Sequence, residues 1–209
     1  MSLTQQIDVY CERTDFTFWS EPINAITNAA FIIAGIFAWR LYRQNGQHDI
    51  YAPYLIGLMF AIGIGSFLFH TLATRWAGLV DIIPIGLIIF TFHVAMMHRV
   101  AGWSIYVSVL SLGIIPMFGY IAYQLPLEFM GSTKAYSPIL PLLLIYAYYA
   151  PQRVLLLATF ATFGISMTFR IMDDHICDVF PYGVHWMWHI LNGTSLYLAF
   201  CAYILSLKN

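Results

Sequence analysis

Long apolar stretches dominate the chain and alternate with short polar connections. About 20 apolar residues are enough to cross a bilayer as a helix. Seven stretches approach or reach this length, at residues 23–42, 54–71, 79–97, 103–123, 136–150, 154–172 and 184–207. Because a backbone in lipid must satisfy its hydrogen bonds within its own segment, each stretch predicts a helix. The fifth is the shortest and contains Pro138 and Pro141.

No connection is long enough to separate two domains, so residues 1–209 are predicted to form one all-α membrane protein, a bundle of seven transmembrane helices. Residues 1–22 form an acidic segment outside the membrane. The composition agrees, since 60% of the residues are hydrophobic and only 9% are charged, whereas soluble domains carry roughly a quarter charged residues. The net charge of −1 and the lack of a basic cluster argue against a nucleic-acid partner.

An odd number of spans places the two termini on opposite sides of the membrane. One face carries the N-terminal segment, with Arg13, Arg75, Lys134 and Arg170. The other face carries the C-terminus, with Arg40, Arg43, Arg99, Arg153 and Lys208. Because positive loops tend to stay in the cytoplasm, this small excess predicts a cytoplasmic C-terminus and an N-terminus outside.

Three histidines fall on the N-terminal face of this bundle. His70 closes the second apolar stretch, and His185 and His189 open the seventh. Residues four apart share one side of a helix, so the two late histidines stack on each other. By the same spacing, Ser66 lies one turn before His70. Asp81 opens the third stretch and is expected at the same depth.

Three neutral imidazoles are a sufficient ligand set for a catalytic zinc ion, with the fourth position left to water. Zinc lowers the pKa of that water from ~15.7 to about 7. Asp81 could then accept its proton, and Ser66 could donate a hydrogen bond to the oxyanion on an attacked carbonyl. Ionisable groups inside a membrane are costly and usually mark function. We therefore predict a zinc site formed by His70, His185 and His189.

The remaining histidines and the tryptophans near the site have simpler interpretations. His93 and His98 lie toward the opposite face and are predicted to be structural. His175 lies in the acidic loop and is a reserve ligand. Trp186 and Trp188 are predicted to be interfacial anchors.

Three stretches resemble a known family: "YCERTDFTFWSEPINAITN", "GSFLFHTLATRWAGLVDIIP" and "FRIMDDHICDVFPYGVHWMWH". In order and spacing they are similar to the alkaline ceramidases, which belong to a group of seven-helix membrane hydrolases that includes the adiponectin receptors. The resemblance implies a zinc-dependent amidase that cleaves ceramide into a sphingoid base and a free fatty acid. By position it implies His70, His185 and His189 as zinc ligands, with Ser66 and Asp81 assisting catalysis. The substrate would be a lipid that enters from the bilayer.

The resemblance also implies a calcium site, because animal members bind calcium through their N-terminal stretch. Hard oxygen ligands of the kind that calcium prefers are available in this segment. They are Asp8, Glu12, Asp15 and Glu21. The alternative interpretation is a solvated acidic segment.

Cys11 and Cys177 both lie on the N-terminal face and would form a disulfide if that side is oxidising. Cys201 lies within the last apolar stretch and is expected to stay a free thiol.

Other functions remain compatible with the sequence. The same zinc hydrolase could act on another N-acyl or O-acyl lipid, because an acyl groove consists of generic apolar side chains. A non-catalytic receptor with a structural zinc site would need a fourth protein ligand, Asp81 or His175. A bis-histidine haem protein would use one histidine from each of two helices.

Overall fold

The chain is helical, as predicted: in the computed structural model the described residues, 2–45 and 48–207, form an all-helical fold. Nine α-helices follow one another along these ranges. They are α1 (Pro22–Thr27), α2 (Ala29–Asn45), α3 (Tyr51–Leu72), α4 (Arg75–Ala95), α5 (Ile105–Leu110), α6 (Ile114–Gln124), α7 (Ile139–Tyr149), α8 (Arg153–Ile176) and α9 (His185–Ser206). A π-helical turn, Met96–Val100, extends α4, and 3-10 turns at Ser111–Gly113 and Glu128–Tyr136 precede α6 and α7.

Five helical stretches of the described chain are long and apolar enough to cross a membrane. They are Pro22–Asn45, Tyr51–Leu72, Arg75–Val100, Ile105–Gln124 and Arg153–Ile176. The fifth predicted stretch holds only α7, with 11 residues, because a 3-10 turn and Pro138 precede it. The last helix, α9, has 22 residues, but His189, Asn192 and Ser195 make it less apolar. The fold is therefore that of a multi-pass membrane protein, and the count of seven spans is not confirmed.

Glycines let two pairs of helices approach closely near the predicted site. A Cβ atom on Gly65 of α3 would lie 2.3 Å from the carbonyl oxygen of Val80 in α4. A Cβ atom on Gly193 of α9 would lie 2.9 Å from the carbonyl oxygen of Ala30 in α2. Any larger residue would therefore push these helices apart. The first contact lies directly beside the predicted catalytic serine and aspartate.

The N-terminal segment, residues 2–21, lies against the turn between α3 and α4. Backbone hydrogen bonds attach it there: the Ile7 amide donates to the carbonyl of Ala73 at 2.7 Å, and the Arg75 amide donates to the carbonyl of Gln5 at 3.0 Å. Ala73 has a left-handed backbone, with φ of 46°, which ends α3. The segment is thus attached to the bundle rather than extended into solvent.

A disulfide joins Cys11 in the N-terminal segment to Cys177, the residue that follows α8. The predicted pairing is confirmed. It connects positions 166 residues apart and attaches the segment to the connection that leads into α9. Cys201 is buried and free, as expected.

The opposite end of the bundle is organised by a buried aspartate. Asp49 accepts hydrogen bonds from the backbone amide of Tyr51 at 3.0 Å and from the hydroxyl of Tyr203 at 2.9 Å. Its second oxygen pairs with Arg99 at 3.2 Å. The orientation of this end in the membrane stays a prediction, and Lys208, one of the charges behind it, lies outside the described residues.

Replacing Gly65 by alanine should destabilise the bundle, because the added methyl group collides with the α4 backbone. Overpacking of this kind costs about 1–3 kcal/mol, against a gain of roughly 1 kcal/mol for alanine over glycine within a helix. The Tm of Gly65→Ala in detergent is therefore expected to fall. Gly57→Ala is the matched control in the same helix, since a Cβ there meets nothing within 4 Å. Equal falls in both variants would contradict this account.

Candidate active site

The three predicted histidines meet in one cluster. His70 lies near the end of α3, and His185 and His189 occupy the first and second turns of α9. All three are buried, and one ligand nitrogen of each lies within 4.8 Å of the others. Among the described residues, this is the one group of three or more histidine, cysteine or acidic side chains with such spacing. The convergence predicted from topology is confirmed.

Neighbouring residues engage one nitrogen on two of the rings. Nδ1 of His70 lies 2.6 Å from Oε2 of Glu21. Nδ1 of His189 lies 2.9 Å from the hydroxyl of Thr27. Such partners orient a ligating histidine and leave its Nε2 for a metal. Nδ1 of His185 is buried without a hydrogen-bond partner in the described part of the chain.

Glu21 is the acid that orients His70. Its other carboxylate oxygen pairs with the Nε of Arg13 at 2.5 Å, and Asn24 donates a further hydrogen bond at 3.1 Å. Burial disfavours the charged form of Glu21. The hydrogen bond from His70 and the guanidinium charge of Arg13 outweigh burial and hold the pKa of Glu21 below its usual value. Glu21 is therefore an anionic acceptor for the His70 ring.

Ser66 and Asp81 form a second polar pair beside the histidines. Both are buried, and both line the same cavity. The Oδ1 atom of Asp81 is buried and has no hydrogen-bond partner among the described residues. A buried carboxylate oxygen without a partner is costly. Asp81 therefore has one buried carboxylate oxygen that no described protein group satisfies.

Two adjoining cavities lie at and beside this cluster. Ser66, Asp81, His185 and His189 line a cavity of about 1120 Å³. A second cavity of about 110 Å³ is lined mainly by apolar side chains of the bundle. Five residues line both cavities: Phe31, Ile62, Ile85, Tyr136 and Trp188. A cavity lined by several titratable groups therefore adjoins a smaller apolar one.

The chain matches the ceramidase family over residues 4–208, nearly its whole length. It belongs to the ceramidase family. Comparison with curated proteins gives no significant match. The resemblance of the three motifs is thereby confirmed, and membership supports a ceramide-hydrolysing enzyme, a hydrolase acting on amides.

The four acids for which the ceramidase resemblance implied calcium do not gather into one site. They are Asp8, Glu12, Asp15 and Glu21. Asp8 is exposed, and Glu12 caps α1 by accepting from the Ile23 amide at 2.7 Å. Oδ1 of Asp15 accepts from the amide and the hydroxyl of Thr17 at 2.9 and 2.6 Å, and Glu21 serves Arg13 and His70. Each of the last three acids already has its own partners, so calcium is unsupported.

Arg170 was expected only as one of the positive charges on the N-terminal face, but its side chain reaches the site. The guanidinium packs over the rings of Trp188 and Tyr136, at 5.1 and 5.6 Å from their centroids. It also donates a hydrogen bond to the hydroxyl of Tyr10 at 3.2 Å, and Tyr10 stacks on His185 with 3.8 Å between ring centroids. A signal was available, since Arg170 falls inside a predicted span and charges there usually mark function.

Trp188 is not the interfacial anchor that the sequence predicted. It is buried, with 6% of its surface exposed, and it packs against Tyr136 and Phe163 inside the bundle. It faces inward because it lies one turn from His185 on the side of α9 that meets α8. Trp186 is half-buried, and His175 is exposed and outside the histidine cluster.

Asp173 holds the start of α9, a role that the sequence did not suggest. Its Oδ1 accepts from the backbone amides of Val184 at 2.6 Å and His185 at 2.9 Å, and its Oδ2 accepts from the Cys11 amide at 3.3 Å. These amides would otherwise be unpaired at the helix N-terminus. Gly183, with φ of 60°, leaves room for the carboxylate, because a Cβ there would lie 2.2 Å from Oδ1.

Asp173→Ala should lower stability by roughly 1–2 kcal/mol, the usual cost of losing a helix cap, and the loss should show as a lower Tm in detergent. Asp173→Asn should lose less, because its amide oxygen still accepts hydrogen bonds. Asp174→Ala removes the adjacent acid, which is exposed, and should leave the Tm unchanged. If Asp174→Ala is as damaging as Asp173→Ala, loss of the cap is not the cause.

Proposed function

We propose that this protein is an integral-membrane, zinc-dependent amidase that hydrolyses the amide bond of ceramide or a ceramide-like lipid. The products are a sphingoid base and a free fatty acid. The observation that carries the proposal is the cluster of three buried histidines beside Asp81, which lines the same cavity as His185 and His189 and has a carboxylate oxygen without a partner among the described residues. Membership of the ceramidase family supplies the amide substrate class.

The histidines fit zinc in number, type and surroundings. Three imidazoles and an open position are the ligand set of a catalytic rather than a structural zinc ion. His70 and His189 are oriented by Glu21 and Thr27, and the buried, unpartnered Nδ1 of His185 is the sort of atom that a ligand would satisfy. A bound zinc ion would supply Lewis acidity, which activates water and polarises the amide carbonyl.

Asp81 and Ser66 carry the proton transfer in this proposal. The unpartnered oxygen of Asp81 takes a proton from the attacking water while the water oxygen bonds to the carbonyl carbon. When the carbon–nitrogen bond breaks, Asp81 returns that proton to the leaving nitrogen, so that an amine and a carboxylic acid result. Ser66 is buried and lines the same cavity as Asp81. Its hydroxyl would donate a hydrogen bond to that carboxylate or to the oxyanion that forms on the attacked carbonyl.

The two cavities suit a lipid with a polar head and long chains. The larger one exposes the titratable groups, and the smaller one is lined by side chains such as Leu55, Ile88 and Phe92. We propose that the first methylenes of the fatty acyl chain enter the apolar cavity and that the amide lies at the residues shared by both cavities.

The zinc proposal predicts that some variants lose zinc and turnover together, whereas others keep zinc and lose only turnover. Purified protein should contain one zinc ion per chain and release fatty acid from a fluorescent ceramide. His185→Ala should lose both zinc and turnover. Asp81→Asn should keep zinc yet lose turnover by about 10²- to 10⁴-fold, the usual contribution of a general base.

His48→Gln is the control, because His48 is exposed and lies far along the chain from the cluster. Metal analysis and product release measure the two quantities independently. Stoichiometric zinc without turnover of ceramide or of any N-acyl or O-acyl lipid in a panel would indicate a structural zinc site in a receptor. Protein without zinc that still hydrolyses ceramide would refute the metal assignment.

The cavity proposal predicts a change in chain-length preference. Ala199 lines the apolar cavity and is buried, so Ala199→Phe should fill the space and shift preference toward shorter acyl chains. Turnover of ceramides that differ only in acyl length, given as kcat/KM, measures the shift. Ala161→Phe adds the same ring at an exposed position of α8 and should leave the preference unchanged. An identical profile for both variants would exclude this cavity as the acyl site.

A further inference from the structure

Arg13 occupies the centre of the N-terminal segment with its side chain fully buried. Its Nε pairs with Oε1 of Glu21 at 2.5 Å. Its two terminal nitrogens donate to the backbone carbonyls of Asp15 at 2.9 Å and His70 at 2.8 Å. One carboxylate and two carbonyl oxygens therefore converge on a single positive charge.

Carboxylate and backbone carbonyl oxygens are also the ligands that calcium prefers. In this chain the convergent oxygens already surround a guanidinium, which carries the positive charge and five N–H donors in a fixed plane. The residues of the segment thus do not fit a calcium ion while Arg13 is in place.

We propose that the guanidinium of Arg13 takes the place that a calcium ion would otherwise occupy among these oxygens. The histidine cluster of this protein is therefore independent of calcium. The role of Arg13 is to position Glu21 against Nδ1 of His70 and to hold the end of α3 through the His70 carbonyl. Arg13 is a positioning residue, since it reaches the histidine cluster through Glu21 and through the backbone. The effect on metal binding rests on the proposed function, in which His70 is a zinc ligand.

Arginine suits this role because of both its charge and its shape. Breaking a buried ion pair leaves an uncompensated charge, which is strongly destabilising. Glu21 without Arg13 would be left with the His70 ring and the Asn24 amide as its partners. Lysine would keep the charge, but a single ammonium group cannot reproduce the planar fork that reaches three acceptors.

The test removes the guanidinium of Arg13 and asks whether a calcium ion can replace it. Wild-type protein in calcium-depleted buffer should keep its zinc affinity and its Tm, and added CaCl2 should change neither. Arg13→Ala should lose zinc affinity by about 10- to 100-fold, as when an orienting partner of a metal ligand is removed. The zinc affinity of Arg13→Lys should lie between those of wild-type protein and Arg13→Ala. Competition with a chromophoric zinc indicator measures the affinity.

The decisive variant is Arg13→Asp, which adds a carboxylate to the oxygens that the guanidinium vacates. Without calcium it should bind zinc worse than Arg13→Ala, because two carboxylates then face each other. Millimolar CaCl2 should raise its Tm by several degrees and recover most of the zinc affinity, whereas MgCl2, which demands stricter geometry, should recover less. Arg153→Asp, at an exposed arginine, is the control and should not respond.

Four results would overturn the proposal. They are a wild-type protein whose Tm or zinc affinity depends on calcium, an Arg13→Ala variant with unchanged zinc affinity, an Arg13→Asp variant indifferent to calcium, and an Arg13→Asp variant that stays misfolded when produced with calcium. The Tm response requires no zinc. If wild-type protein binds no zinc, the proposed function fails, while the calcium response of Arg13→Asp still decides the role of Arg13.

Discussion

Burying three imidazoles in an apolar bundle is the constraint around which this end of the molecule is built. A neutral imidazole has one donor and one acceptor nitrogen, so it can present the acceptor in a defined direction only if its donor is held elsewhere. His70 and His189 find those partners in Glu21 and Thr27, which lie at the start of the first helical stretch. The segment outside the predicted spans is therefore part of the site.

The same constraint explains the pattern of small residues and buried charges. Gly65 and Gly193 bring helix backbones close together around the cluster. The charges that remain are matched locally: Glu21 by Arg13, and Arg170 by aromatic faces and a tyrosine hydroxyl. The result is a cavity lined by titratable groups beside a smaller one lined by apolar side chains.

The fold class and the histidine cluster could be predicted because membrane topology is restrictive. Alternation of spans assigns every helix end to one of two faces, and a spacing of four places His185 above His189. The same alternation predicts Ser66 near Asp81 and Cys11 near Cys177. The prediction holds whichever helices neighbour each other.

Contacts that depend on neighbours could not be predicted in this way. Trp188 looked interfacial by its position along α9, but it faces inward because α8 covers it. Glu21 looked like a calcium ligand until its partners, Arg13 and His70, were known. The interruption before α7 comes from a 3-10 turn and Pro138, and such local breaks blur the count of spans without altering the face on which the site lies.

The disulfide between Cys11 and Cys177 has a consequence for biosynthesis. The ribosome delivers the N-terminal segment well before α8 and α9, and the bond joins positions 166 residues apart. The segment therefore cannot be fixed in place until α8 has been made, and the histidine cluster cannot form until α9 follows. A nascent or truncated chain would lie in the bilayer without the two histidines of α9, so the order of synthesis delays assembly of the cluster until the bundle is nearly whole.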